Sequence, residues 1–457
     1  MQDNVARLIW GATGETMLHT SGIIMMVVAG VLILSLNREK AYLVFIMAAL
    51  MIPLTQKIVF LNLNFTSLRI LIAVAWIRMF FRMELHPMRL NIIDKLFVLW
   101  VVSNAVTFVL LWQTWGAFVN RLGTLMDSAG LFFIFRFFIS DIDEIDSGIR
   151  SLAILSIVLA VIMLVEQAAG TTMYAYMSGT PDVQFMREGR LRAQGPFAHS
   201  ILAGTFGATL IPLLVSQWLK PGFSKVLVVT AMGACVVIAL ASVSSGPVLA
   251  AVWGVAAIFM WPLRMHMRFI RWSIAFFLLL AHLMMKAPVW ALIDRVGFFA
   301  GSSSYHRFYL VDAFINRFDE WWLLGTKSTD HWGWMMWDAI NQFVAEGVRG
   351  GLLSLVLFIA LLAHCFRSIG LKVQETEGNR LAQLRYWAIG CALFTHMVSF
   401  LGIAYFDQMM VSWYFLLAMV SALDGIPVPV FQKPEVDIYR ATPQFEGAGE
   451  GGLWTYR

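Results

Sequence analysis

Charge is what this chain has least of. Only 13% of its 457 residues are Asp, Glu, Lys or Arg, against 59% hydrophobic ones, and the mean hydropathy is +0.73. No water-soluble globule of this length has enough interior to hide so much apolar surface, so the composition excludes a soluble fold. Cysteine is scarce too. Cys235, Cys365 and Cys391 all fall inside apolar stretches, where they say nothing about redox compartment and form no metal-like cluster. A P-loop, a dinucleotide fingerprint, zinc spacing and internal repeats are all missing, which argues against ATP-driven transport by this chain alone. The alternating pattern of a membrane barrel is missing as well.

Apolar runs of helix-spanning length are what remains. They cover residues 20–37, 41–56, 66–82, 92–113, 117–140, 149–169, 199–219, 224–243, 246–263, 272–290, 350–368, 386–403 and 408–424. Each must be helical, because backbone amides in hydrocarbon are satisfied only within the segment or in a closed barrel. The expected fold is all-α: a polytopic membrane domain over residues 1–424 with about 12–14 transmembrane helices. A tail from 425 to 457, rich in proline, glycine and acids, is expected to be disordered in the cytoplasm. The first apolar run, 21–36, leads into Asn37 and Arg38 without a small-residue cleavage site and reads as an anchor.

Lysine and arginine set the orientation. Alternate connections plus the tail hold twenty of the thirty-three, which marks the cytoplasmic side; nine of the other thirteen fall in residues 170–198 and 286–349. The net charge of +5 therefore reflects span ends, and no nucleic-acid partner is implied. The outward cluster is dominated by arginine, with Arg187, Arg190 and Arg192 in the first connection and Arg295, Arg307, Arg317 and Arg349 in the second. Guanidinium binds phosphate and carboxylate oxygens bidentately and keeps its charge near lipid, so an anion site is expected. Structural ion pairing with Asp182, Glu188, Asp294, Asp312 or Asp319 is the alternative. Inside the spans, Asp127 and Glu166 are costly to bury and are expected to line a cavity or to meet a cation, Arg121 or Arg136 in the case of Asp127.

Four segments carry a resemblance. Residues 190–200 read Arg-Leu-Arg-Ala-Gln-Gly-Pro-Phe-Ala-His-Ser, and residues 242–250 read Ser-Val-Ser-Ser-Gly-Pro-Val-Leu-Ala. Residues 302–307 read Ser-Ser-Ser-Tyr-His-Arg, followed by Trp-Trp-Leu-Leu-Gly at 321–325; residues 341–352 read Asn-Gln-Phe-Val-Ala-Glu-Gly-Val-Arg-Gly-Gly-Leu. In order and placement these resemble the bacterial O-antigen ligase and polysaccharide polymerase family. The resemblance implies a membrane-embedded, GT-C-like glycosyltransferase of the bacterial inner membrane with one long periplasmic loop. It implies glycosyl transfer at the periplasmic face from an undecaprenyl-diphosphate-linked oligosaccharide, without a metal or cofactor. A chain-length regulator and a flippase are the implied protein partners. Where the family's ligases place a histidine before the asparagine, this chain has Ile340, which favours a polymerase over a ligase.

Within that reading Arg192 and Arg307 are the first choices to hold the diphosphate, with Arg190 and Arg295 in support, because fixed cations at a leaving diphosphate stabilise the charge that builds as the anomeric bond stretches. Asp338 and His331 are the candidate bases. Asp338 would share a helix face with Asn341, three residues on, if the helix were continuous. Trp321, Trp322, Trp332, Trp334 and Trp337 are read as interfacial anchors rather than sugar platforms. The rival readings are a ligase delivering glycan to lipid A core, a transporter of lipid-linked saccharide or anion using Asp127 and Glu166, and a scaffold within an assembly complex.

Overall fold

The computed structural model describes residues 16–60, 63–85, 87–178, 186–187, 189–218, 220, 224–295 and 304–426. The tail from 427 lies outside them. The first half comprises α1 (Thr20–Ser35), α2 (Arg38–Met51), a hairpin of β1 (Lys57–Phe60) and β2 (Leu63–Thr66), α3 (Ser67–Phe81), α4 (Ile92–Trp112), α5 (Trp115–Phe138) and α6 (Ile142–Ala169). A short α7 (Met173–Ser178) and a two-residue ladder of β3 (Met186–Arg187) with β4 (Arg190–Leu191) lead to α8 (Ser200–Trp218), α9 (Lys225–Ala241) and α10 (Ser245–Phe259). After α11 (Met267–Met284) come α12 (Ser304–Asn316) and α13 (Phe318–Trp321), and the bundle ends with α14 (Gln342–Glu375), α15 (Arg380–Phe400) and α16 (Met409–Leu423).

Each of the thirteen apolar stretches overlaps one of these helices. Among the described residues, α4, α6, α8, α14 and the stretch Trp261–Met284 are long and apolar enough to cross a membrane, and α1, α9, α10 and α16 are shorter apolar helices. The fold is thus helical and compatible with a multi-pass membrane protein. Local chemistry sets the helix starts. Asn91 with Asp94 and Asp141 with Glu144 form capping boxes at α4 and α6, each satisfying orphan backbone donors reciprocally. α8 is the central helix, 89% buried along its apolar window, wrapped by α6, α9, α10 and α15. α11 buries no residue and stands at the rim.

The two ends of the bundle use charge differently. At one end, Arg136 pairs with Asp94 at 3.1 Å beneath Ser421, Arg78 meets Glu84 at 2.7 Å, and Asp146 receives both Lys220 and Arg385. Such pairs tie neighbouring helices, since a buried charge without its partner is expensive. The opposite end carries a small subdomain built on α12 and α13, whose core joins Leu310, Phe314, Trp321, Trp332, Met336 and Val344.

Trp321 stacks on Phe314 with ring centroids 3.9 Å apart and donates its indole N–H to the Phe314 carbonyl. Trp321 and Trp332 are therefore core residues of this subdomain and not interfacial anchors, whereas Trp322, Trp334 and Trp337 stay exposed. The subdomain docks into a break in α14. Gly351 (φ 69°) interrupts the helix, Leu352 N–H donates to the Trp322 carbonyl at 2.7 Å, and Thr326 N–H donates to the Val348 carbonyl at 2.8 Å. A Cβ on Gly351 would lie 2.5 Å from the Leu323 carbonyl oxygen, so only glycine fits there.

Candidate functional site

The four sequence segments, spread over more than 150 residues, meet at the subdomain end of the bundle. Ala193 N–H donates to the Ala241 carbonyl at 3.2 Å, and Arg192 Nε reaches the Ser242 carbonyl at 3.5 Å, which joins the first segment to the second. Arg307, from α12, joins the third. Its guanidinium lies against Gly246 at the start of α10 and against Gly402 in the loop before α16; a Cβ would stand 3.8 Å and 3.5 Å from it, respectively. Asn341 completes the group, with Nδ2 3.5 Å from the Leu401 carbonyl.

Two carboxylates hold the loop that carries Arg192. Glu166, fully buried at the end of α6, accepts Met173 N–H at 3.1 Å on one oxygen and Gln194 and Gly195 N–H at 3.0 and 2.9 Å on the other. Asp407, itself in a left-handed conformation (φ 57°), accepts Ala198 N–H at 2.8 Å, and Gln408 donates to the Pro196 carbonyl at 2.7 Å. The loop is thereby clamped to α6 on one side and to the α15–α16 connection on the other. Burial pushes Asp407 up to about 7, against the two backbone N–H groups of Ala198 and Gln408 that favour its anion.

The cluster is electropositive. Burial, then the nearby charge of Arg187, lowers the pKa of both Arg192 and Arg307. Burial and Arg192 push His199 down to about 4, so its imidazole is neutral at pH 7; its Nδ1 accepts Ile201 N–H at 3.1 Å. No carboxylate among the described residues lies within ion-pair distance of Arg192 or Arg307, and the Nε–H of Arg307 is buried without a partner. The α10 N-terminus adds backbone donors, since Ser244 makes no side-chain cap bond there. Guanidinium forks and an uncapped helix start are donors of the kind that bind oxyanions, and the glycines leave the space that the Arg307 guanidinium occupies.

The other expected residues are placed as follows. Arg190 sits in β4 beside Arg187 but is exposed, and the Arg295 side chain lies outside the described residues, as do Asp182 and Glu188. Asp127 pairs with Arg69 and not with Arg121 or Arg136: Arg69 Nε and Nη2 reach its two oxygens at 3.0 and 2.8 Å. Asn341 is the N-cap of α14, its Oδ1 accepting Phe343 N–H at 2.9 Å, and the residues before it are turns. Asp338 therefore does not share a helix face with Asn341.

Asp338 opens to solvent, yet the protein crowded around it raises its pKa, with the charges of His306 and Arg349 opposing. The ring of His306 bonds the Asp338 backbone, and its sequence neighbour is Arg307. His331 is tied elsewhere, 2.7 Å from Glu320. Partial burial opposes ionisation of Glu320, but bonds from Trp332, His331 and Arg317 outweigh it and hold its pKa at about 2.

Arg187 was named from sequence only as part of the arginine-rich connection, and His199, His306 and Gly402 were given no role; Gly402 had no signal, because it lies in a short turn between two apolar spans. No protein-family model matches the chain, and no curated protein matches it either.

Proposed function

We propose that this chain is a polysaccharide polymerase-type glycosyltransferase, working at the periplasmic face of a bacterial inner membrane on lipid-diphosphate-linked glycan repeat units. The observation that carries the reading is that Arg187 acts on both Arg192, at the Ser242 carbonyl, and Arg307, seated between Gly246 and Gly402, with no described carboxylate to neutralise Arg192 or Arg307. A lipid-linked diphosphate supplies the missing anion, and its lipid tail suits a cradle set at the end of an apolar bundle.

In the proposed reaction an acceptor hydroxyl oxygen bonds the anomeric carbon. The bond from that carbon to the diphosphate breaks, and its electron pair leaves on the lipid diphosphate between Arg192 and Arg307. The hydroxyl proton passes to Asp338, whose raised pKa makes it a stronger base than an ordinary surface carboxylate. His331, committed to Glu320, serves the subdomain instead. Glu166 and Asp127 are both occupied, by backbone amides and by Arg69, which weighs against a transporter that would load a proton or ion on them.

The test replaces Arg192 or Arg307 with alanine and follows polymer length on gels. Loss of one charge-assisted contact of about 1.5–3 kcal/mol slows turnover by about one to two orders of magnitude, so short chains are expected. Long chains from either variant at normal protein level overturn the assignment. Intact polymer that is no longer attached to lipid A core points to a ligase instead.

A further inference from the structure

Close in sequence to the Arg307 seat, but walled by other helices, lies a cavity of about 100 Å³ that opens to solvent. Its polar wall joins Asn104 of α4, Arg121 of α5, Gln342, Glu346 and Arg349 of α14, and Tyr405. The acceptor oxygens of Glu346 and Gln342 each already take a donor. Glu346 accepts the Trp100 indole N–H at 2.8 Å and the Gln342 amide at 2.7 Å, while the Gln342 carbonyl oxygen accepts Tyr405 N–H at 2.6 Å.

Donors are not spent. Arg121 Nε–H is buried without a partner, and its Nη1 makes only a long 3.4 Å contact with Asn104 Oδ1. Arg349 makes no hydrogen bond or ion pair among the described residues, and neither does the Asn104 amide NH₂ group. The two guanidinium charges act on each other across the cavity, and neither comes within ion-pair distance of Glu346. With Glu346 ionised, the cavity holds one net positive charge from two cations and one anion; Asp338 lies near Arg349 as a further carboxylate.

We propose that this cavity is a second oxyanion site, distinct from the Arg192–Arg307 cradle, that grips a phosphate or carboxylate between Arg121 and Arg349. A space edged by unspent guanidinium and amide donors is complementary to an acceptor-rich anion. The apolar and aromatic walls, Val101, Leu125, Met410 and Tyr414, then pack the group to which the anion is attached. Arg121, stacked on Phe108 with its Cζ 3.5 Å from the ring centroid, is pre-oriented for the task. This assignment stands whether or not the chain transfers sugars.

The experiment measures binding of farnesyl diphosphate, inorganic pyrophosphate and glucuronic acid to the detergent-purified full chain, to R349Q, to R121K, and to R192A/R307A. Farnesyl diphosphate is expected to bind the wild type at two sites and R349Q at one. In the R192A/R307A background the remaining site should persist, and adding R349Q should weaken it by about 10- to 100-fold. R121K keeps the charge but loses the fork, so it should weaken the same site without changing the other.

Binding of farnesyl diphosphate alone makes the ligand lipid-borne, whereas binding of pyrophosphate or glucuronate as well shows that a soluble anion suffices. One wild-type site lost in R192A/R307A and untouched by R349Q overturns the proposal. One wild-type site lost in R349Q alone upholds it and refutes the cradle at Arg192 and Arg307. Because Arg349 is exposed, R349Q is the deciding variant.

Discussion

Glu166→Gln tests how the arginine loop is held, and a lower bound on its size can be worked from three of the four backbone N–H groups the carboxylate accepts, Tyr174 being the fourth. The wild-type carboxylate gives one oxygen to Met173 N–H and the other to Gln194 and Gly195 N–H, all within 3.1 Å and fully buried. Glutamine has one acceptor oxygen. Turned towards Gln194 and Gly195, it leaves its NH₂ facing Met173 N–H, donor against donor. One charge-assisted bond of about 1.5–3 kcal/mol is then lost, and the other two fall to the strength of neutral bonds, at a cost of about 1 kcal/mol each. The total, about 3.5–5 kcal/mol, is a large part of an ordinary folding free energy.

Melting temperature in detergent and limited proteolysis of residues 186–198 are the assays. E166Q should melt several degrees lower and be cut faster within that segment, and affinity for farnesyl diphosphate should fall with it, because Arg192 rides on the clamped loop. An unchanged melting temperature together with unchanged cleavage would refute the clamp.

Two further outcomes follow from backbone and proton chemistry. Gly351→Ala and Gly325→Ala place a side chain at φ 69° and 91° against backbone carbonyls, so each should cost about 2 kcal/mol or more, read as a lower melting temperature; Gly370→Ala, with open space around its Cα, should not destabilise. Asp407 has a folded-state pKa of about 7 against an unfolded value of about 3.9, so its stabilising contribution is full below the lower value and is lost as pH rises through the upper one. Relative to Asp407→Asn, which stays neutral, the wild type should lose stability between about pH 4 and pH 7, and parallel stability curves would refute the assignment.

The helices were legible because hydrocarbon demands an uninterrupted apolar run for each crossing, and that demand is written in consecutive residues. Segment order was also legible in part: arginine enrichment pointed to residues 187–192 and 307. Their meeting place was not. Glu166 holds its loop through backbone N–H groups of Met173, Gln194 and Gly195, which leave no mark on residue type. Asp127 found Arg69, 58 positions away, instead of the arginines nearer in its own helix, because α3 packs beside α5. The expectation for Asp338 failed on a helix start. Asn341 is a strong N-cap, and its preference for ending a turn outweighed the helical spacing that would have aligned the two residues.

The contrast between the two ends of the bundle bears most directly on function. A chain that is so poor in charge, and that pairs Arg38, Arg78, Arg136, Lys220 and Arg385 with carboxylates at one end, has shown how it stabilises a cation near lipid. At the other end Arg192, Arg307, Arg121 and Arg349 have no such partner among the described residues, although Glu346 and Asp338 lie close to some of them. Partly desolvated guanidinium groups left without anions, as at Arg192, Arg307 and Arg121, raise the energy of the protein alone and lower it once an anion arrives, whereas Arg349 is exposed. That difference is the free energy a binding site has to offer. Its division between two arginine pairs on different helices accounts for two oxyanion sites better than one structural network would, since a network would have brought Glu346 within reach of Arg121.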